Sequence, residues 1–198
     1  PIDPVRVMAN RSSGQQGQAI ASALAAAGAE VTLVTGPVNL PQPPGMTVVP
    51  VQTADQMLAA AQAALPADIA VFAAAVADWK PKTTATEKLK KVGGQDELSM
   101  SFVKNPDILA TIAQADHRPA LVVGFAAETE NVVANAQGKL ARKNADWIVA
   151  NDVSGGAVFG EQTNTVTLVS AQEAEAWPTL TKDQVAERLV QKIVESLP

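Results

Sequence analysis

The 198-residue sequence contains no cysteine, no tyrosine and a single histidine, His117. Without cysteine the chain has no disulfide, no thiolate nucleophile and no cysteine-ligated metal, and no extracellular disulfide scaffold is implied. One histidine excludes a two-histidine zinc site. His117 itself stands in Asp116-His117-Arg118-Pro119, which predicts an exposed turn.

Positive charge and long apolar runs are also scarce. The formal net charge of −5 disfavours a general nucleic-acid or anionic-membrane binder. No apolar run reaches the roughly 18 residues of a membrane span, and the sequence shows no secretory signal pattern. Hydrophobic residues make up 47% of the chain, enough for a sizeable core. We therefore expect one cytoplasmic domain over residues 1–198, without a nucleic-acid or membrane partner.

A glycine- and serine-rich loop, Asn10-Arg11-Ser12-Ser13-Gly14-Gln15-Gln16-Gly17, leads into an alanine-rich helix. Backbone N–H groups and the positive end of the helix dipole suit an anion such as phosphate at this position. The spacing matches neither G-x-G-x-x-G nor the P-loop. Gly14 and Gly17 are equally compatible with close packing of the helix on a sheet, so the loop alone leaves both interpretations open.

Helix and strand patterns alternate along the chain. Thr53 and Gln56 form a capping-box pattern, Gly28 has the position of a C′ residue, and Pro106 with Asp107 predicts the first turn of a helix. The predicted helices span 16–27, 53–64, a segment from 105 onward, 131–143 and 181–197, the last with Val185, Leu189, Ile193 and Leu197 on one stripe. The predicted strands span 30–35, 47–51, 68–75, 120–125, 146–150 and 165–170.

This alternation predicts a three-layer, Rossmann-like α/β sandwich around a mostly parallel sheet, with ligands outside the carboxyl ends of the strands. The continuous apolar run at 68–75 predicts a strand buried on both faces. Polar or turn-forming residues follow several strands directly, although strand-end loops need such residues in any case. They are Gly36-Pro37, Ala77-Asp78, Ala126-Ala127-Glu128 and Asn151-Asp152.

The segment 79–104 interrupts the alternation. Residues 87–92 and 97–104 predict two strands joined at Gly93-Gly94, a hairpin arm off the main sheet. Lys88 and Lys90 share one face, which is typical of a charged edge strand, the interpretation that the pattern alone favours. The alternative is a basic flap that closes over a polyphosphate. Two interpretations also remain for the basic residues Lys139, Arg142 and Lys143, which share one face of a predicted helix. They either compensate the helix dipole or contact phosphate.

Eight short motifs, taken together, resemble the phosphopantothenate–cysteine ligases, the CTP-dependent phosphopantothenoylcysteine synthetases of bacteria. They occur in the family's order and cover most of the chain. The motifs are Asp3-Pro4-Val5-Arg6, Asn10-Arg11-Ser12-Ser13-Gly14, Thr35-Gly36-Pro37, Ala74-Ala75-Val76-Ala77-Asp78-Trp79, Glu87-Lys88-Leu89-Lys90-Lys91, Lys104-Asn105-Pro106-Asp107-Ile108-Leu109, Gly124-Phe125-Ala126-Ala127-Glu128-Thr129 and Ala150-Asn151-Asp152-Val153.

The resemblance implies that CTP activates the carboxylate of 4′-phosphopantothenate as an acyl cytidylate, which the amine of L-cysteine then converts to an amide. Neither step requires a protein nucleophile, in agreement with the absence of cysteine. Family members act as homodimers, for which the hairpin arm offers a contact. Magnesium is expected with CTP, held by phosphate oxygens and water, so no metal-ligating residue is expected.

The resemblance also implies roles for individual residues. Asn10 corresponds to the family's asparagine that contacts the acyl cytidylate, and Lys88 corresponds to the flap lysine that neutralises phosphate charge. Ser12, Ser13 and Gly14 correspond to a loop beneath the substrate. The CTP-contacting positions are Phe72, Asp78, Lys88, Pro106, Asp107, Ile108, Leu109, Phe125, Lys139 and Lys143.

Two family features have no counterpart in the printed sequence. Family members begin with a strand and a glycine-rich turn ahead of the Asp-Pro-Val-Arg motif, and many are fused to a flavin-dependent decarboxylase domain. We expect the chain to be the synthetase half of such a protein. A nicotinamide-dependent reductase is the main enzyme alternative, but the absence of tyrosine excludes the Tyr-x-x-x-Lys type. A nucleotide-binding domain without catalysis is the alternative from another class.

Overall fold

The computed structural model describes residues 1–10, 12–90, 97–153 and 163–197. Within these residues the helices are α1 (Gln15–Ala26), α2 (Ala54–Ala63), α3 (Ile108–Ala113), α4 (Val132–Lys143) and α5 (Lys182–Ser196). The strands are β1 (Thr32–Thr35), β2 (Thr47–Pro50), β3 (Ile69–Phe72), β4 (Trp79–Pro81), β5 (Phe102–Lys104), β6 (Leu121–Glu128), β7 (Trp147–Asp152), β8 (Thr163–Asn164), β9 (Val166–Val169), β10 (Ala174–Ala176) and β11 (Leu180–Thr181).

The largest sheet has five strands in the order β10-β9-β7-β6-β3. Strands β3, β6 and β7 run parallel, whereas β9 and β10 are added antiparallel at the other side. Strands β1 and β2 form a parallel pair of their own. The predicted α/β fold with a parallel-rich sheet is confirmed, and the sheet is more mixed than the sequence suggested.

Side chains alternate between the two faces of this sheet and enter two core clusters. On one face α1 and α5 pack against the sheet, and on the other face α3 and α4 do so. The first cluster includes Ile20, Leu121, Val123, Val149, Val185, Leu189 and Ile193. The second includes Ala113, Val122, Ala136, Ile148 and Ala150. The three-layer arrangement predicted from the sequence follows from these two clusters.

Local signals predicted several elements correctly. Thr53 and Gln56 form the predicted capping box of α2. Gly28, with a φ of 93°, follows α1 as a C′ residue. Of the predicted stripe on α5, Val185, Leu189 and Ile193 are buried. Leu197 lies beyond the last helical residue and is 43% exposed, so that part of the prediction was wrong.

Some predicted boundaries were wrong because they depend on pairing. Strands β6 and β7 continue to Glu128 and Asp152, which face each other in the register, so residues 126–128 and 151–152 lie in strands rather than loops. Strand β3 is shorter than predicted, and its residues are half-buried because it is the last strand in its sheet. Pro106 precedes the N-cap residue of α3, Asp107, and does not lie in the first turn.

The predicted hairpin at 79–104 was also wrong in its pairing. Strand β5 pairs antiparallel with β4, with Trp79 opposite Lys104, whereas residues 87–90 and 97–101 form no strand. The predicted turn at Gly93-Gly94 lies outside the described residues. None of the helices in the described part of the chain is long and apolar enough to cross a membrane.

Candidate functional site

Three of the predicted segments meet at the loop between β3 and β4. The Nδ2 group of Asn10 donates a hydrogen bond to the carbonyl oxygen of Val76 at 3.2 Å. From the other side, Asn105 donates through its Nδ2 group to the carbonyl oxygen of Ala77 and through its backbone N–H to that of Asp78, both at 2.8 Å. The loop that carries the exposed Asp78 carboxylate is therefore held in place at the carboxyl end of β3.

Asn105 is a residue whose role the sequence did not reveal. It was noted only as part of the segment 104–109, and no position was assigned to its side chain. In the structure its Nδ2 group and its backbone N–H both donate to carbonyl oxygens of the loop before β4, and so join the end of β5 to that loop. The signal was its place directly before Pro106, because a residue before proline is restricted to extended conformations and cannot join the helix.

Asp107, a predicted nucleotide contact, is bonded to a second one, Lys143. As the N-cap of α3, its Oδ1 atom accepts the N–H of Ala110 at 3.1 Å. Its Oδ2 atom forms an ion pair with Lys143 of α4. Burial raises the pKa of Asp107, but the hydrogen bonds from Lys143 and Ala110 and the charges of Lys143 and Lys139 outweigh it, so its pKa lies below the ordinary value.

Lys139, one turn before Lys143 on α4, also faces a carboxylate. Its Nζ atom lies 4.0 Å from Oε1 of Glu128 at the end of β6. The other carboxylate oxygen of Glu128 accepts a hydrogen bond from Nδ2 of Asn135 at 3.1 Å. The two predicted CTP-binding lysines therefore lie one turn apart on α4, and each has an acidic neighbour in this structure.

The apolar residues predicted to contact CTP lie on different faces of the sheet. Phe72 and Leu109 pack against the α3–α4 core cluster, whereas Phe125 packs against the α1–α5 cluster. Ile108 is buried, so only its backbone is available to a ligand. Leu109 lies so close to the sheet that a Cβ atom at Gly124 would stand 2.7 Å from its Cδ2 atom. The structure thus groups Phe72 and Leu109 and separates Phe125 from them.

The glycine-rich loop has one sterically required glycine. Gly14 has a φ of 74°, and a Cβ atom there would lie 2.7 Å from Cγ1 of Val38. A Cβ atom at Gly17 would meet only Ala73, at 3.9 Å. The hydroxyls of Ser12 and Ser13 accept long hydrogen bonds from the next-but-one N–H groups, at 3.3 and 3.4 Å.

Gly14 is the N-cap of α1 and provides no side-chain cap. The first turn therefore lacks a side-chain cap from its N-cap residue, and of its N–H groups that of Gln15 bonds to the Ser13 hydroxyl. Polar side chains fasten this turn to the beginning of α5. Gln16 donates through Nε2 to the carbonyl oxygen of Lys182 at 3.0 Å and accepts from Nδ2 of Asn164 at 3.0 Å. The position of the loop is therefore tied to the last helix. Arg11, which belongs to the same motif, lies outside the described residues.

Lys88 is exposed, and no ion pair or hydrogen bond of its side chain is found within the described ranges. The backbone of the next residue, Leu89, is hydrogen-bonded instead. The N–H of Leu89 donates to Oδ2 of Asp3 at 3.1 Å, and the carbonyl oxygen of Leu89 accepts from Nη2 of Arg6 at 2.8 Å. The structure therefore attaches the base of the predicted flap to the N-terminal segment.

An α/β sheet with a glycine-rich helix entry and two lysines on a helix packed against it is typical of domains that bind phosphorylated ligands. In the described part of the chain, no three His, Asp or Glu side chains are grouped so that they could hold a metal ion.

Comparisons with known proteins identify the family of this domain. A family model described as the DNA/pantothenate metabolism flavoprotein C-terminal domain matches residues 1–197. The "Coenzyme A biosynthesis bifunctional protein CoaBC" of Escherichia coli K12 is 48% identical over 198 residues, which cover 98% of this chain and 48% of that protein. The protein of the same name from Vibrio cholerae is 43% identical, covering 99% of this chain and 50% of that protein.

Solved structures show the same fold. The crystal structure of the C-terminal domain of CoaBC superposes with a TM-score of 0.80 at 39% identity, covering 97% of this chain and 87% of that one. The chain spans about half the length of the curated relatives that it matches. It belongs to the DNA/pantothenate metabolism flavoprotein C-terminal domain family, so the resemblance seen in the sequence is confirmed at the family level.

Proposed function

We propose that the chain ligates 4′-phosphopantothenate to L-cysteine at the expense of CTP, a step of coenzyme A synthesis. Its relatives are named for coenzyme A biosynthesis. A protein of similar fold, at 16% identity, has been solved in complex with phosphopantothenate-cysteine. The observation that carries the proposal is the meeting of Asn10, the Asp78 loop and the 104–109 segment at one strand end.

The reaction has two balanced steps. A carboxylate oxygen of phosphopantothenate attacks the α-phosphorus of CTP, the bond to the β-phosphate breaks, and pyrophosphate leaves. The cysteine amine then attacks the acyl carbon, a C–N bond forms, the bond to the cytidylate oxygen breaks, and CMP leaves as the amine loses a proton. Catalysis here consists of positioning and charge stabilisation, which need no protein nucleophile.

We assign the phosphate charge to lysines. Lys88 is exposed and is suited to the negative charge that develops on pyrophosphate as it departs. Lys139 and Lys143 already have acidic neighbours, Glu128 and Asp107, so binding of the CTP anion requires them to exchange a carboxylate for a phosphate. Magnesium enters as the complex with CTP, held by phosphate oxygens and water.

The remaining candidates position the organic parts of the substrates. Asn10 is already oriented by its bond to Val76, and its amide is suited to hold the acyl group while cysteine attacks. Phe72 and Leu109, on the same face of the sheet, offer apolar surface to the cytosine base, and the backbone at 106–109 offers polar groups to its edge. Ser12, Ser13 and Gly14 form the loop for the phosphate or pantothenate end.

We further propose that two copies of the chain associate through the β4–β5 arm. Trp79 and Phe102 are 49% and 41% exposed. The register places Trp79 opposite Lys104 and Pro81 opposite Phe102, so both aromatic rings emerge from one face of the arm. Exposed aromatic residues that share a face are typical of protein contacts. The proposed setting is the bacterial cytoplasm, with a flavin-dependent decarboxylase domain as the other half of the full-length protein.

Pyrophosphate release tests the proposal. The chain is incubated with Mg²⁺, CTP and 4′-phosphopantothenate, with and without cysteine, and ATP replaces CTP in a parallel series. We expect release that requires the acid and CTP, and amide only when cysteine is present. CTP binding by calorimetry without any release would instead indicate a nucleotide-binding domain without catalysis.

A further inference from the structure

Asp3 is a buried acid in an exposed segment. It is 1% exposed, whereas residues 4–10 are all exposed. Its Oδ1 atom accepts the backbone N–H groups of Val5 and Arg6, each at 2.8 Å. Its Oδ2 atom accepts Nε of Arg6 at 2.9 Å and the N–H of Leu89 at 3.1 Å. Both oxygens of this carboxylate are therefore fully engaged.

A buried carboxylate is costly unless it is paired and hydrogen-bonded. At Asp3 the guanidinium of Arg6 and the N–H groups of Val5, Leu89 and Arg6 outweigh burial and hold the pKa of the carboxyl well below its usual range. Asp3 is thus a constant anion at the pH values at which enzymes work.

Asp3 and Arg6 together hold one residue that is far away in sequence. Asp3 accepts the N–H of Leu89, while Nη2 of Arg6 donates to its carbonyl oxygen at 2.8 Å, so both backbone polar groups of Leu89 are fixed. The contact continues upstream, where the N–H of Ala85 donates to the carbonyl oxygen of Ile2 at 3.0 Å. We call this set of contacts between residues 1–6 and 84–89 the N-terminal clamp.

Lys88 immediately precedes the clamped residue. The N–H that Asp3 accepts belongs to the peptide bond between Lys88 and Leu89, so the plane of that peptide is fixed by the acid. The Lys88 side chain is exposed and has no such support of its own in the described ranges. The backbone therefore sets the position from which the Lys88 side chain extends.

We propose that Asp3 is a positioning residue for Lys88, acting through Arg6 and the backbone of Leu89. The inference rests on the proposed function, in which Lys88 assists the departure of pyrophosphate. Without the Asp3 carboxylate, the guanidinium of Arg6 and the N–H of Leu89 lose their common acceptor, and the backbone that carries Lys88 is no longer fixed.

A double-mutant cycle on the first half-reaction tests this role. Asp3→Asn keeps the shape of the side chain but removes its charge. We expect kcat for pyrophosphate release without cysteine to fall about 10- to 100-fold, the loss that misplacement of a catalytic group by an ångström brings, with little change in KM for CTP. Asp3→Asn added to Lys88→Gln should cause no further loss, because the acid acts only through the lysine.

The matched control is Asp55→Asn, which breaks the ion pair of an exposed acid with Lys80 and should leave pyrophosphate release unchanged. Hydrogen exchange of residues 84–90 gives a readout independent of activity, and we expect it to be faster in Asp3→Asn than in the wild type. Circular dichroism verifies that the variants are folded, and Asp3→Glu, which retains the charge, should recover part of the rate.

The outcomes separate the two proposals. Independent, additive losses from Asp3→Asn and Lys88→Gln would overturn the positioning role while the proposed function stands. Unchanged exchange of residues 84–90 in Asp3→Asn would overturn the clamp itself. Absence of pyrophosphate release by the wild-type chain would overturn the proposed function, and with it the role of Lys88.

Discussion

Lys143 at the end of α4 and Asp107 at the N-cap of α3 form an ion pair. The pair joins two helices, and it neutralises a lysine that we assign to CTP. Lys139 has a looser relationship with Glu128, at 4.0 Å. The structure therefore holds both cations near acidic partners, which the CTP phosphates replace in the proposed complex.

The two catalytic candidates are expected to act in different half-reactions. Lys88→Gln should lower the rate of pyrophosphate release by about 10²-fold or more, the loss seen when one charge-stabilising donor is removed. Asn10→Asp should leave release largely intact and block amide formation, because it places a carboxylate where the acyl group is held. Rapid-quench measurement of acyl cytidylate and amide separates the steps.

Lys90→Gln is the matched control for Lys88→Gln, since Lys90 is exposed and belongs to the same segment. Equal loss in both lysine variants would mean that general positive charge, and not Lys88 in particular, supports the reaction. Wild-type turnover in both Lys88→Gln and Asn10→Asp would contradict the site assignment.

Asp107→Ala should destabilise the fold by about 1 kcal/mol, the usual cost of losing an N-cap side chain. The N–H of Ala110 would lose its acceptor, and Lys143 would lose its partner. Urea denaturation measures the change. Asp116→Ala, at an exposed turn position, is the control and should stay close to the wild type; an equal loss there would argue against the cap.

Stability should fall in acid because of Asp3. Its pKa is lowered on folding, chiefly by the Arg6 hydrogen bond, so its contribution is complete above the ordinary Asp pKa of about 3.9 and is lost as the pH falls through the lower folded value. Thermal melts from about pH 6 to pH 2 should show this decline in the wild type.

Asp3→Asn should be less stable at neutral pH and should decline less steeply in acid, because it has no proton to take up at this position. Asp107 contributes in the same direction in both proteins, since its pKa is also lowered. Parallel curves for the wild type and Asp3→Asn would show that another carboxylate governs the acid transition.

Gly14→Ala and Gly17→Ala should have opposite effects. Gly14 has a φ of 74° and lies against Val38, so alanine there costs at least about 1–2 kcal/mol for the left-handed conformation alone. Gly17 lies within α1 and has room for a Cβ atom, so alanine should stabilise the helix by about 0.5–1 kcal/mol. Urea midpoints of the two variants distinguish the positions, and similar losses in both would contradict this difference.

Features that depend on nearby residues were predictable from the sequence. The capping box at Thr53, the end of α1 near Gly28 and the buried stripe of α5 follow from signals within a few residues. The extension of β6 to Glu128 was not predictable, because it requires β7 as a partner. The absence of a strand at 87–90 was not predictable either, since Leu89 of that segment bonds to Asp3, 86 residues earlier in the chain.

In the candidate site, too, local features were predictable and long-range contacts were not. The sequence placed Asp78 after a strand and Asp107 at the start of a helix, and the structure has both residues in those local positions. The side-chain role of Asn105 depends on a loop 28 residues away, and the separation of Phe72 from Phe125 depends on which face of the sheet each residue occupies. Neither is encoded in local spacing.

The bonds of Gln16 to Lys182 and Asn164 connect the beginning of the chain mechanically to its end. The position of the proposed substrate loop before α1 therefore depends on α5, a helix that contributes none of the proposed substrate contacts. Shortening the chain from its C-terminus would disturb the loop at Gly14 even though every residue of the loop were retained. Selection on α5 would then act through ligand affinity as well as through folding.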